Sequence, residues 1–259
     1  MNRALLVKIF GHKATLIHDD TTVMDRWLWL KKRLPKTNNS EKLIDIGCGT
    51  GAFSIGASLR GYDSLGLSWD GKNQETAKSR AMICNAKNAN FEILDVRVLD
   101  TRKDLSGKFD VAICLENIEH IINDHKLIND IKMCLKPGGR LLLTTPNYHL
   151  KPLTDEHKEP FLEIEDGRHV RRGYTSKMLK ELCDNANLEL KEITYCTGFV
   201  SQKITKIYRL LQLCHVHPII AWILITPFRI LPLIFDPIIS KVYKYPPLSI
   251  CFEAYKPLE

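Results

Sequence analysis

Residues 43–53 read LIDIGCGTGAF, and this stretch decides which fold the chain adopts. It begins as an apolar, strand-like run, passes an acid at Asp45 and then has three glycines within five residues, Gly47, Gly49 and Gly51. Glycine at this density serves either a tight turn or a ligand that comes very close to the backbone. The residues around the stretch distinguish these two uses.

Strand-like and helix-like patterns alternate over residues 43–146. After LIDIG, the runs DSLGLSW, FEILDV, FDVAICLE and RLLLTTP predict strands, and residues 51–59, 71–88 and 123–135 predict helices between them. FDVAICLE is almost entirely apolar, which is typical of a strand buried on both faces. The alternation predicts a parallel sheet with helices on both faces. Farther along, YTSKMLKELCDNAN predicts a helix capped near Thr175, and LELKEITYC and SICFEAYKP predict two more strands.

The chain has 259 residues, enough for one large domain or one domain with an insertion. Residues 1–40 are expected to form a helical cap. Residues 41–198 and 248–259 are expected to form the α/β domain. Residues 199–247 form an apolar insertion before the last strand.

The helical cap contains one clear amphipathic pattern, over residues 19–34. Asp20 or Thr21 is the expected N-terminal cap of this helix. Trp27 and Trp29 are two residues apart, so one is expected to face inward and the other outward.

The composition is that of an ordinary globular protein, with 44% hydrophobic and 26% charged residues. The net charge of +7 fits an anionic partner, a membrane surface or simply solvated lysine faces, and its modest size favours the last. The eight cysteines include no CxxC pair, which indicates free thiols in a reducing compartment. The N-terminal segment has no signal-peptide pattern, so a cytoplasmic protein is expected.

The position of the glycine loop favours a ligand. In an open α/β sheet, ligands bind at the carboxyl ends of the strands, where this loop lies. Its spacing is GxGxG rather than GxGxxG, and no GK[ST] follows, which disfavours both a dinucleotide fingerprint and a P-loop. Because the loop has no phosphate-binding lysine, a ligand without phosphates is favoured.

Five motifs over residues 40–150 resemble class I S-adenosylmethionine-dependent methyltransferases, in order: LIDIGCGTGAF, LGLSWD, ILDV, FDVAICLENIEHI and LKPGGRLLLTTPN. The resemblance implies a Rossmann-like sheet of seven strands whose last strand is antiparallel. It also implies S-adenosylmethionine as cofactor, with Asp95 and Val96 near the adenine and Leu115 as a further residue of the cofactor site. The methionine part would be held by Asp45, Gly47, Cys48, Gly49 and Gly51.

The second strand departs from the family pattern. The family's ribose-binding acid at the end of this strand aligns with Ser68, and the acid comes two residues later, at Asp70. Either Asp70 reaches the ribose or Ser68 bonds it more weakly. The alternative for Asp70 is a purely structural role as the N-terminal cap of the next helix.

The motif ENIEH, residues 116–120, follows the buried fourth strand. Glu116 and Glu119 share one face of a helical turn, and adjacent carboxylates repel each other unless a positive group joins them. Two carboxylates and the imidazole of His120 suit a divalent metal such as Mg²⁺, Mn²⁺ or Zn²⁺. The alternative is a capped turn with a solvated glutamate.

The same ExxEH is similar to that of two methyltransferase groups. One group makes ubiquinone and methylates a catechol-like ring, and the other methylates the 3′-terminal ribose of small RNAs. In the second group both glutamates and the histidine bind magnesium together with a downstream histidine, which implies Glu116, Glu119, His120 and His169 here. His157 is the competing downstream histidine.

The resemblance implies metal-assisted O-methylation of one hydroxyl of a vicinal pair on a small molecule. Glu119, with His120 or His157 as the group that takes the proton, would act in catalysis. Two alternatives stay open: a C- or N-methyltransferase that uses Glu119 and His120 as a metal-free acid/base pair, and a non-catalytic cofactor-binding scaffold subunit.

Residues 216–239 read VHPIIAWILITPFRILPLIFDPII and are the most hydrophobic part of the chain. Prolines, Arg229 and Asp236 leave an uninterrupted apolar run of 11 residues, 218–228, short of the roughly 18 to 20 that a membrane span needs.

Three interpretations of this insertion stay open: a lid over the substrate pocket, a dimer contact, or a membrane-interface element assisted by the cations Lys203, Lys206, Arg209 and Arg229. We favour a lid that also touches lipid or a hydrophobic, lipid-linked acceptor, in a protein peripheral to the cytoplasmic face of a membrane. Nucleic acid fits poorly, because its binding sites are usually basic and aromatic. The oligomeric state is left open.

Overall fold

The computed structural model describes residues 3–16, 22–38, 41–153, 155–161 and 163–258. Asp20 and Thr21, the predicted helix caps, lie outside these ranges. Seven strands form one sheet: β1 (Lys42–Ile46), β2 (Asp63–Ser68), β3 (Ala89–Ile93), β4 (Phe109–Leu115), β5 (Leu135–Pro146), β6 (Glu189–Cys196) and β7 (Ser249–Tyr255).

The strand order is β3-β2-β1-β4-β5-β7-β6. Strands β1 to β5 pair in parallel, and β7 lies antiparallel between β5 and β6. The order reverses between β1 and β4, so the connections that leave these two strands diverge and open a crevice. The predicted fold class and the antiparallel last strand are confirmed.

Helices cover both faces of this sheet. They are α1 (Arg3–Phe10), α2 (His12–Leu16), α3 (Thr22–Arg33), α4 (Ala52–Ser58), α5 (Gly71–Ile83), α6 (Asp124–Cys134), α7 (Ser176–Asn185), α8 (Phe199–Leu213), α9 (Pro218–Ile225) and α10 (Leu231–Val242). Short 3₁₀ helices occupy Val96–Thr101, Lys103–Leu105, Ile118–His120, Asp155–His157 and Thr226–Ile230.

The alternation of side chains along β1 shows how the two faces are built. Leu43 packs in the cluster that contains Trp27 and Leu30 of α3, whereas Ile44 and Ile46 pack in the cluster that contains buried residues of α6 and α7. Successive residues of a strand point to opposite faces, so this strand supplies both cores.

Both tryptophans of α3 are buried, each 7% exposed. The expectation that one of them faces outward is wrong, because β6 covers the side that periodicity assigns to solvent. Trp29 Nε1 donates a hydrogen bond to Thr194 Oγ1 of β6 at 2.8 Å, which satisfies the indole.

The apolar insertion is helical from residue 218 to residue 242. Pro218 begins α9, while Pro227 and Pro232 lie in the first turns of their helices, where a missing N–H costs little. Of the four prolines in this segment, Pro237 alone lies beyond the first turn of its helix.

Because the segment is helical throughout, the length available for a membrane span is greater than the apolar run of 11 residues. The segment Ile220–Val242 has 23 residues with a mean hydropathy of 1.6, and only 11% of its most apolar window is buried. By length and composition alone it is able to cross a membrane. The expectation that prolines keep the run too short is therefore wrong.

Substitution of Gly51 tests how tightly the turn between β1 and α4 packs. It is the N-cap of α4 with φ 78°, and a Cβ there would lie 2.7 Å from the Phe91 ring and 2.8 Å from Ala77 Cβ. We expect Gly51→Ala to lower the free energy of unfolding by about 2–5 kcal/mol, from about 1–2 of left-handed strain and about 1–3 of overpacking. Urea denaturation would measure the loss.

Gly107→Ala is the matched control. Gly107 also has a positive φ, 65°, but nothing lies within 4 Å of its added Cβ. Only the strain of about 1–2 kcal/mol applies there. Equal losses in the two variants would show that contacts around Gly51 are not tight.

Candidate functional site

Asp45 lies at the carboxyl end of β1, directly before the glycine loop. Its side chain is buried, and Oδ2 accepts a hydrogen bond from Ser54 Oγ of α4 at 2.6 Å. Burial raises the pKa of this carboxyl to about 7, and the Ser54 hydrogen bond opposes the shift. The carboxyl group therefore joins the end of β1 to the helix that follows the loop.

The glycine loop has the geometry of a tight turn and leaves open space at its tip. All three glycines have positive φ, at 81° for Gly47, 51° for Gly49 and 78° for Gly51, which is the requirement of a tight turn. A Cβ on Gly47 would lie 2.4 Å from the Asn117 side chain, but nothing lies within 4 Å of one on Gly49. The tip of the loop is thus open to a ligand.

Cys48 packs on the side of the loop that faces α5. Its Sγ accepts a hydrogen bond from Gln74 Nε2 at 3.3 Å, and its backbone N–H donates to Leu67 O at 2.8 Å. Burial raises the pKa of the thiol well above its usual range. The neutral sulfur contributes packing, and the backbone contributes the shape of the loop.

Ser68 and Asp70 lie side by side at the end of β2. Ser68 is buried, and Asp70 caps α5 by accepting hydrogen bonds at Oδ1 from Lys72 N at 2.8 Å and Asn73 N at 3.1 Å. The structural role foreseen for Asp70 is therefore present. Both cap bonds end on one oxygen, so the cap and a contact to ribose are compatible.

Asp95 and Val96 follow β3, as expected for residues near the adenine. Val96 is buried, and Asp95 Oδ1 accepts from Arg97 N at 2.9 Å. Hydrogen bonds from the Arg97 side chain lower the pKa of Asp95. Arg97 Nη1 also contacts Glu165 Oε2 at 2.9 Å, which joins this edge of the crevice to the irregular segment after β5.

Strand β4 ends at the buried Leu115, and Glu116 begins the ENIEH motif with an unusual positive φ of 51°. Its N–H donates to Thr144 O at 2.8 Å, and its Oε1 accepts from Thr144 Oγ1 at 3.0 Å. Arg26 Nε of α3 lies 3.8 Å from the same oxygen. Glu116 is thus held between β5 and the helical cap.

Glu119 is completely buried, 0% exposed, in the short 3₁₀ helix that follows. Its Oε2 accepts a hydrogen bond from Thr145 Oγ1 at 3.1 Å. Burial raises the pKa of Glu119 well above its usual range, and the negative charge of Glu116 raises it further. This carboxyl group is held where its charge is unfavourable.

The irregular segment after β5 brings histidines to this acid. Val170 N donates to Glu119 O at 2.9 Å, which positions His169 over the motif. The rings of His120 and His169 have centroids 4.8 Å apart, and His157 lies 5.5 Å from His169. Burial and then the positive charges around His157, including that of His169, lower its pKa to about 4.

Three of these side chains form a group that is able to hold a cation. One ligand atom from each of Glu119, His120 and His169 lies within 4.8 Å of the others. Within the described ranges, Glu119 Oε1 and His120 Nδ1 are buried and have no hydrogen-bond partner. Buried polar atoms normally have partners, so the donor set fits a divalent cation. Glu116, the fourth predicted ligand, lies outside the group and bonds Thr144 instead.

Sequence reasoning missed the residues that support the acids: Arg26, Thr144 and Thr145. The two threonines carried a signal, because they are polar residues at the carboxyl end of the apolar run RLLLTTP, beside the ENIEH strand. Arg26 carried no such signal, since its position on an amphipathic helix does not reveal which residues the helix packs against.

The chain matches the model of a family described as a methyltransferase domain over residues 18–193. A ubiquinone biosynthesis O-methyltransferase of Marinobacter nauticus is 29% identical over 175 residues, covering 66% of this chain and 71% of that protein. One of Dechloromonas aromatica is 30% identical over 111 residues, covering 43% of this chain and 47% of that protein.

A solved structure shares the fold. Geranyl diphosphate C-methyltransferase of Streptomyces coelicolor superposes with a TM-score of 0.58 at 15% identity, covering 89% of this chain and 78% of that chain. At this identity the likeness concerns the fold alone. The family match covers more than half of the chain. The chain therefore belongs to the methyltransferase domain family and is an S-adenosylmethionine-dependent methyltransferase.

Proposed function

We propose that the enzyme transfers the methyl group to oxygen, at one hydroxyl of a vicinal diol or catechol-like small molecule, with the assistance of a divalent cation. The observation that carries this proposal is the group of Glu119, His120 and His169, whose ligand atoms lie within 4.8 Å of one another. The names of the ubiquinone biosynthesis O-methyltransferases, about 30% identical to this chain, support oxygen as the target.

The site's own residues provide three functions. Glu119, His120 and His169 would hold Mg²⁺ or another divalent cation, which when bound lowers the pKa of a nearby hydroxyl. Asp45 and the glycine loop would hold the methionine part of the cofactor and so present the methyl group to an acceptor in the crevice between β1 and β4. Thr145 keeps one oxygen of Glu119 fixed, which leaves the other directed to a ligand.

His157 and His120 are the candidates for the group that takes the proton of the acceptor. A pKa of about 4 keeps His157 neutral at physiological pH, so its ring has a free lone pair but is a weaker base than an ordinary histidine. Its position 5.5 Å from His169 places it beside the proposed cation site.

Glu119→Gln tests the cation site. We expect at least a tenfold loss of Mn²⁺ affinity, since an amide keeps the shape but removes the charge that a hard cation requires. Turnover of a simple catechol should fall about 100-fold or more, while affinity for S-adenosylhomocysteine stays within about twofold. Isothermal titration and a methyl-transfer assay measure the three quantities.

Glu163→Gln is the control, since Glu163 is exposed in the same irregular segment as His169. It should change none of these values. If chelation with EDTA leaves methyl transfer unchanged, or if Glu119→Gln binds Mn²⁺ as the parent does, the cation has no role and Glu119 with His120 acts as a metal-free pair.

The cofactor site has a pH dependence of its own. Asp45, with a pKa of about 7, is mostly protonated below that pH and loses its attraction for the cofactor's ammonium group. Affinity for S-adenosylhomocysteine should therefore approach its full value near pH 8, be about half of it at pH 7 and be about tenfold lower at pH 6 than at pH 8. Titrations over this range test the expectation.

Asp45→Asn should flatten this profile at the low-affinity level. Asp110→Asn is the matched control, because Asp110 lies at the amino end of β4, at the opposite edge of the sheet, and pairs with Lys136 at 2.7 Å. A profile that keeps its slope in Asp45→Asn would assign the pH dependence to another group.

A further inference from the structure

Helices α8, α9 and α10 and the 3₁₀ helix Thr226–Ile230 carry a broad exposed apolar surface. We define it by Leu210, Leu213, Ile223, Phe228, Ile234 and Ile238, whose exposure ranges from 49% to 75%. Proteins that stay in water seldom expose so many large apolar side chains together. We therefore expect this surface to dock on a partner outside the catalytic domain.

The strand connections exclude a helix that crosses a bilayer once. The insertion leaves the sheet at the end of β6 and returns at the start of β7, and these strands are hydrogen-bonded neighbours with Cys196 opposite Ser249. A single crossing by Ile220–Val242 would place β6 and β7 on opposite sides of the membrane. The sheet does not permit that separation.

Polar contacts also join two helices of the insertion, α8 and α10, to each other. Asp236 of α10 accepts hydrogen bonds from Val200 N at 2.6 Å and Ser201 N at 3.3 Å, and so caps the start of α8. Ser240 Oγ accepts from Phe199 N at 2.8 Å. Because α10 caps α8 through its middle, neither helix can extend alone into a hydrocarbon core.

Cations flank the apolar surface. Lys203 and Lys206 are exposed on α8, and Lys241 and Lys244 are exposed at the end of α10. Each lysine beside an anionic lipid surface contributes about 1 kcal/mol to binding. An apolar face bordered by lysines is the pattern of a helix that lies in the plane of a membrane interface.

We infer that this apolar surface docks on a bilayer that contains anionic phospholipid, with α8 to α10 lying in the interface and none of them crossing it. The inference goes beyond the proposed reaction and does not depend on the cation site.

Vesicle co-sedimentation of the full chain tests the inference. Vesicles of phosphatidylcholine with phosphatidylglycerol should bind it at least about tenfold more tightly than phosphatidylcholine alone, and added salt should weaken the binding. The double variant Ile234→Asp/Ile238→Asp should reduce binding at least about tenfold, because it places charge in the face that docks on the bilayer. Lys203→Glu/Lys206→Glu should abolish the preference for the anionic vesicles.

Met82→Asp is the matched control, since Met82 is 77% exposed on α5, outside the apolar surface. It should bind vesicles as the parent does, and binding of S-adenosylhomocysteine should report that every variant is folded. The inference is overturned if the parent binds neither kind of vesicle, or if the isoleucine variant binds as well as the parent. It is also overturned if the lipid-free protein is a dimer that the isoleucine variant dissociates, since a second copy would then be the occupant.

Discussion

The parallel pairing of β1 with β4 is the constraint on which the site depends. Its register places Leu43 opposite Val111 and Asp45 opposite Ile113, so the glycine loop and the ENIEH motif leave the sheet side by side. The two connections then touch, because a side chain on Gly47 would overlap Asn117. The glycine loop and the acidic motif therefore line the same crevice.

That crevice contains a group whose placement opposes folding. Glu119 is fully buried next to Glu116, and a buried carboxylate is costly unless a partner compensates its charge. Threonines of β5 bond one oxygen of each acid, yet Glu119 Oε1 has no partner within the described part of the chain. A site that keeps such an atom exchanges some stability for the ability to bind a positive ligand.

Sequence reasoning was accurate where period and turn residues determine structure, and weaker where a distant contact does. The glycine loop, the strands and the Thr175 cap follow from local patterns, and the structure contains them. The burial of Trp29 depends on β6, which lies 165 residues later in the chain, at Thr194. His169 lies in a segment without periodicity, so only family resemblance indicated that it would meet Glu119. The prediction that prolines interrupt the insertion was wrong, because the effect of a proline depends on where each helix begins.

The position of β7 has a consequence for the order in which the chain folds. This strand is the last in sequence, but it lies inside the sheet, between β5 and β6. β6 therefore has no neighbour in the sheet until β7 is inserted, although it is synthesised some fifty residues earlier. The apolar insertion emerges from the ribosome during that interval, before Asp236 and Ser240 can cap α8. Early contact with a membrane surface would then shield the insertion from aggregation while the sheet is still incomplete.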